Sequence, residues 1–135
     1  MRYAAMLVVS AVTIAATGFT ASAQYIQPFP MLQAEQAAGR KIFTDHCAVC
    51  HTQKKFGPSL QGVVGRKAGS LAKFPYSDAL KNSGLVWTED NLRKWITNNT
   101  QTVPNTLMPH VSISDPAEQI YLIAYLKSLT PAKAR

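Results

Sequence analysis

A chain of 135 residues, 47% of them hydrophobic, has room for one domain and too little for two. With no internal repeat and no low-complexity block, a solenoid or a fibrous array is excluded. Fourteen Lys and Arg against seven Asp and Glu give a formal net charge of +7, a balance that suits acidic protein partners, anionic membranes or nucleic acid.

Residues 1–23 read as a secretory signal. Arg2 gives the positive start, Ala4 to Phe19 is mostly apolar, and Ala21 and Ala23 stand at the A-x-A spacing that a signal peptidase requires. The alternative is an uncleaved anchor. The apolar core is short for a membrane span of about 20 residues, and Ser10, Thr13 and Thr17 break it. Cleavage after Ala23 would leave 112 residues and, with Arg2 gone, a net charge of +6. Export makes nucleic acid an improbable partner and places both cysteines in an oxidising compartment. Residues 24–33, with Pro28 and Pro30, are expected to be an extended tail ahead of a domain at 34–130.

Leu32 to His46 has a helical pattern, with Ala34, Ala38, Ile42 and Phe43 on one side. It runs straight into Cys47-Ala48-Val49-Cys50-His51, which holds the only two cysteines of the chain. A structural zinc ion needs four ligands, and this stretch supplies three, with His46 or His110 left to complete the set. A thioredoxin-like redox pair follows a strand, and the preceding segment here is helical. A disulfide closing so small a loop would restrict the unfolded chain little. C-x-x-C-H is the attachment signature of c-type haem. Two thiols about one helical turn apart can bond two vinyl groups on one porphyrin edge, and His51 then sits under the iron. Such attachment takes place outside the cytoplasm, so the signal supports the motif independently.

Lys54 to Phe74 reads as loop, punctuated by Gly57, Pro58, Gly62, Gly65 and Gly69, with no strand pattern. Tyr76 to Gly84 can hold a short helix ended by its glycine. A longer one starts at Thr88, a cap residue, with Glu89 and Asp90 in the first turn and Leu92, Trp95 and Ile96 on the apolar face. Asn98 to His110 reads as a proline-interrupted loop. Asp115 then caps a strong helix, with Pro116 at the first position and Glu118 completing a capping box. Its apolar face is Tyr121, Leu122, Tyr125, Leu126 and Leu129, and residues 131–135 form a short tail. The organisation is all-α.

A second axial ligand must come from this later half. Thioether sulfur and imidazole are the usual partners of a haem histidine in electron carriers. Once the signal is removed the methionines are Met31, in the tail, and Met108, in the loop before the last helix. Met108 is the candidate and His110 its rival.

The motifs "GRKIF" before "CAVCH", then "GPSLQGVVGRKAG", "FPYSDALKNSGLVW", "VPNTLMP" and "LIAYLKSL" follow one another in order. Together they resemble the class I cytochromes c, of mitochondrial and bacterial type, from about Gly39 to Leu129. The resemblance implies a single-domain all-α fold around one haem c, bonded through Cys47 and Cys50, with its iron between His51 and Met108. Gly39 and Phe43 would pack against Tyr125. Pro58 would accept a hydrogen bond from His51. Arg66, Tyr76 and Trp87 would donate to the buried propionates, Thr106 would brace the methionine loop, and Trp95 would stand beside the sulfur.

Three departures from the family pattern stand out. The loop from His51 to Pro58 is short, and Leu80 replaces an asparagine of the mitochondrial polar network. The third departure is electrostatic: no Lys or Arg occurs from Trp95 through Leu126, and the basic residues are instead Lys54, Lys55, Arg66, Lys67, Lys73, Lys81, Arg93 and Lys94. The expected function is a monomeric periplasmic one-electron shuttle and not an enzyme. Its partners would be redox complexes: a quinol-oxidising cytochrome complex, a terminal oxidase, a photosynthetic reaction centre or a periplasmic dehydrogenase, with peripheral membrane contact. The alternatives are a haem subunit fixed in a periplasmic dehydrogenase or oxidase, a haem enzyme or gas sensor with an open iron site, and a haem-free disulfide protein.

Overall fold

The computed structural model describes residues 30–53 and 56–130. They form five α-helices: α1 (Pro30–His46), α2 (Asp78–Asn82), α3 (Glu89–Thr97), α4 (Asn99–Thr102) and α5 (Pro116–Ser128). A π-helical turn, Val49–Gln53, follows α1. The only extended pairing among the described residues is a single antiparallel bridge between Lys67 and Val86.

Helix α1 begins at Pro30, so the last four residues of the expected extended tail are helical. Proline fits a first helical turn because its missing N–H would be unpaired there anyway. Gln24 to Phe29 and the signal at 1–23 lie outside the described residues, as do 131–135. The first turns of α1 are solvated: Met31, Leu32 and Ala34 are exposed, and burial sets in only around Gly39 and Phe43. The expected stripe therefore works in its second half alone.

Helix α5 is started by Asp115, whose Oδ1 accepts from the amides of Ala117 at 2.7 Å and Glu118 at 3.0 Å. The reciprocal half of the capping box, from Glu118 back to the Asp115 amide, is not formed. Leu122 and Leu126 are buried as expected, but so are Ile123 and Ala124, while Tyr121, Tyr125 and Leu129 are half-buried. The single-face reading of α5 was too narrow because both α1 and α3 pack on it.

The α1–α5 crossing depends on Gly39. A Cβ built there would overlap the Tyr121 carbonyl and lie 2.9 Å from the Tyr125 Cβ. One turn along, the Phe43 and Tyr125 rings meet with centroids 5.2 Å apart at 53°. Two aromatic rings tilted in this way attract beyond the area they bury.

Thr88 caps α3, accepting from the Asn91 amide at 3.2 Å, and Leu92, Trp95 and Ile96 are buried. Gln119, a buried polar residue of α5, donates to Thr97 Oγ1 and to the Ile113 carbonyl, both at 2.8 Å, which ties α5 to α3. Lys127 meets Glu89 at 2.6 Å across the same helices and holds that carboxyl below its usual range. Both ends of this pair are about half exposed, so its contribution is small.

Asn98 does two jobs. Its N–H closes α3 on the Lys94 carbonyl, and its Oδ1 accepts from Gln101 to start α4. The segment expected as loop from Asn98 to His110 therefore opens with a helical turn. Polar cap formers in "NNTQT" mask it from a hydrophobic pattern. Ser77 caps α2, and Gly84, at φ +68°, ends the turn after it.

Gly39→Ala is expected to force α1 and α5 apart and to lower stability by about 1–3 kcal/mol. Guanidinium unfolding of the haem-bearing protein checks this; an unchanged midpoint would show that the crossing tolerates a side chain.

Candidate functional site

The π-helical turn makes one wall of the site. The Cys47 amide donates to the Phe43 carbonyl at 2.8 Å, so the chain leaves α1 without a break. The His51 amide returns to the Cys47 carbonyl at 3.0 Å, the Gly57 amide to Cys50 at 2.9 Å, and Thr52 Oγ1 to Ala48 at 2.7 Å. These bonds wind Cys47, Cys50 and His51 tightly enough for all three to line one cavity of about 760 Å³. Turns of this kind recur at functional sites.

His51 is fixed from behind. Its Nδ1 lies 2.8 Å from the Pro58 carbonyl oxygen. That oxygen can only accept, so Nδ1 carries the proton and Nε2 keeps its lone pair. Gly57 packs on the ring: a Cβ there would sit 2.7 Å from it. Burial pushes the imidazole pKa down, and the Pro58 bond opposes the shift. Burial also raises the Cys47 thiol to about 11, with Cys50 adding to the effect. No disulfide joins Cys47 and Cys50.

Helix α3 and the loop after α4 make the facing part of the lining. Trp95 Nε1–H donates to Met108 Sδ at 3.3 Å. The Met108 amide donates to Thr106 Oγ1 at 3.4 Å. Trp87 is buried and meets Trp95 edge-on, ring centroids 5.1 Å apart. It is pinned by Gly65 N–H to its carbonyl and by its own N–H to the Arg66 carbonyl, both at 2.9 Å. Leu80, Leu92, Ile96, Leu122 and Leu126 complete an apolar lining.

All ten residues singled out in the sequence line this one cavity: Cys47, Cys50, His51, Pro58, Arg66, Tyr76, Trp87, Trp95, Thr106 and Met108. The rivals do not: Met31 is 75% exposed in the first turn of α1, and His110 is exposed outside the lining. No group of three or more His, Cys, Asp or Glu that could hold a metal ion is gathered among the described residues, which leaves the zinc reading without its ligands. Arg66 lines the cavity, yet two of its nitrogens are engaged elsewhere. Nη1 donates to the Gln61 carbonyl and Nη2 to the Ser59 carbonyl, both at 2.8 Å. Burial raises the Tyr76 hydroxyl, with Arg66 and the Leu71 backbone pulling the other way.

Sequence reasoning missed Asn99, which is fully buried and donates to the Met108 carbonyl at 2.8 Å and the Pro109 carbonyl at 3.3 Å. An asparagine among polar neighbours gives no signal of burial. It also missed Phe56, which like Leu107 lines the cavity while 74% exposed.

An apolar cavity that combines a thiol pair, an imidazole with a free nitrogen and a thioether fits a haem c. The thiols tether it, and the two other groups are a nitrogen and a sulfur ligand of the kind iron takes in electron carriers.

Comparison with known proteins agrees with this chemistry. The cytochrome c family profile matches residues 36–130. The chain is similar to cytochrome c2 of Blastochloris viridis, 38% identical over 103 residues, covering 73% of this chain and 80% of the relative. It is 36% identical to cytochrome c of Arabidopsis thaliana over 104 residues, covering 73% and 93%. Among solved structures, cytochrome cH from Methylobacterium extorquens matches with a TM-score of 0.64 and 43% identity, covering 69% of this chain and 97% of that one.

With Met108 on a haem iron, the Trp95–Met108 bond would draw electron density from the sulfur and so favour the reduced state. Trp95→Phe, which keeps the ring and loses the donor, is expected to lower the midpoint potential. A differential of about 1 kcal/mol corresponds to roughly 40 mV for a one-electron couple. Spectroelectrochemical titration of the two proteins checks the sign.

Proposed function

Because this chain belongs to the cytochrome c family and bears one haem c bonded through Cys47 and Cys50, we propose that it is a periplasmic one-electron carrier in which His51 and Met108 would hold the iron. The observation that carries this reading is that both potential ligands line the cavity of the cysteine pair, each already held by a hydrogen bond of its own.

The haem supplies the one-electron couple. The protein supplies rigidity and solvent exclusion. Pro58 fixes the tautomer and plane of His51, and Trp95 fixes the Met108 sulfur. Side chains so held have little to rearrange when charge changes, which keeps the reorganisation cost of transfer low. The apolar lining lowers the local dielectric and disfavours the more highly charged ferric state. Arg66, Tyr76 and Trp87, which line the cavity, are the donors proposed for the propionates.

Export through residues 1–23 is part of the proposal; among the described residues no helix is long and apolar enough to cross a membrane. Electrons would arrive from a quinol-oxidising complex or a periplasmic dehydrogenase and leave to a terminal oxidase or a reaction centre. Docking is proposed through the methionine side, where Leu107 is exposed and the stretch from Trp95 through Leu126 carries no Lys or Arg. Charge steering accelerates association by 10–10³-fold at low salt where it operates, and this face has little to steer with.

Two outcomes are expected. The oxidised protein shows the weak far-red band of sulfur on low-spin ferric haem, and Met108→Ala abolishes it. Its electron-transfer rate with the physiological partner, followed by stopped flow from low to high salt, changes only slightly; a steep fall would assign docking to the lysines instead.

A further inference from the structure

Asn99 is the one fully buried polar residue of the methionine side, and all its hydrogen-bonding groups face that loop. Its Nδ2 donates to the carbonyls of Met108 and Pro109. Its Oδ1 lies 3.1 Å from His110 Nδ1. Since the amide nitrogen is committed to the two carbonyls, the oxygen faces His110, and Nδ1 of that histidine must be the donor. One side chain thus touches three consecutive residues, 108 to 110. Its own position is set by α4, which Asn98 caps one residue earlier.

The rest of the loop has few other ties. Thr106 accepts from the Met108 amide at 3.4 Å, a long bond. Trp95 holds the sulfur but not the backbone. Leu107 is exposed and Pro109 has no N–H to give. Backbone carbonyls at a semi-buried site need partners, and Asn99 supplies them at the residue that carries the sulfur.

We propose that Asn99 is a positioning residue that clamps the 108–110 backbone and so sets how often Met108 leaves the iron, with His110 orienting the Asn99 amide. The proposal rests on Met108 being the axial ligand. It specifies a gate: opening of the loop requires breaking the Asn99 bonds, and an outside ligand can enter only when it opens.

The test measures how fast the ferric holoprotein binds added imidazole, together with the intensity of the far-red band at neutral pH and 25 °C. Asn99→Asp keeps size and acceptor but loses both donors, and is expected to speed imidazole binding roughly tenfold and to weaken the band. His110→Ala, at an exposed position that the core does not need, is expected to speed binding a few-fold with the band retained. If Asn99→Asp yields no holoprotein, the His110→Ala rate decides. Rates within twofold of the parent protein, or a lowered melting temperature with rate and band unchanged, would overturn the proposal and leave Asn99 as packing alone. A parent protein that lacks the band overturns the ligand reading itself, an outcome distinct from a band that persists in the variants.

Discussion

Gly39 meets the Tyr121 carbonyl at a separation that only a hydrogen on Cα permits, and the contact between the two terminal helices that frame the cavity depends on that approach. Helix α1 ends where the cysteine turn begins, and α5 contributes Leu122 and Leu126 to the cavity wall. Moving the two helices apart would separate the turn bearing Cys47, Cys50 and His51 from the wall it faces. The site is thus assembled by the terminal helices, though it draws most of its chemistry from the stretches between them. Those stretches have little regular structure. They are held by the Lys67–Val86 bridge, by caps at Ser77, Thr88 and Asn98, and by side chains such as Arg66 that bond loop carbonyls.

Much of this was legible in the residues. C-x-x-C-H states its chemistry because the spacing and the adjacent histidine are both required for it. Caps at Thr88 and Asp115 announce α3 and α5 by their side-chain chemistry. Glycine within a helical pattern costs about 1 kcal/mol, so Gly39 points to a close approach once a partner helix is known. What escaped was of two kinds. Burial on a second side, as at Ile123 and Ala124, depends on what packs there, and periodicity along one helix does not report it. Short polar helices such as α4, and the buried Asn99 within it, are written in the same residues as a solvated loop. Their fate is decided by tertiary contacts with Met108 and His110.

The electrostatics divide the molecule. Basic residues cluster on the segments from Lys54 to Lys94, and Arg66 and Lys73 line the cavity from that side. The methionine side presents threonines, glutamine, prolines, His110 and the exposed Leu107. A uniform charge of +7 would therefore be a poor description of what a partner meets. A complex formed on the neutral side would depend on shape and on exclusion of water, and its lifetime would respond to contacts such as Leu107 more than to ionic strength.

An indole can give a hydrogen bond but cannot accept one. Trp95 occupies the place beside the Met108 sulfur with such a group, and Leu80 adds an apolar side chain to the same cavity. A hydroxyl there could pass a proton onward by accepting at its oxygen as it donates; the Trp95 ring ends any such chain. At the sulfur itself the Trp95 indole therefore offers no onward step for a proton. Charge gained beside that ring is met by a fixed N–H dipole and not by a proton handed through it.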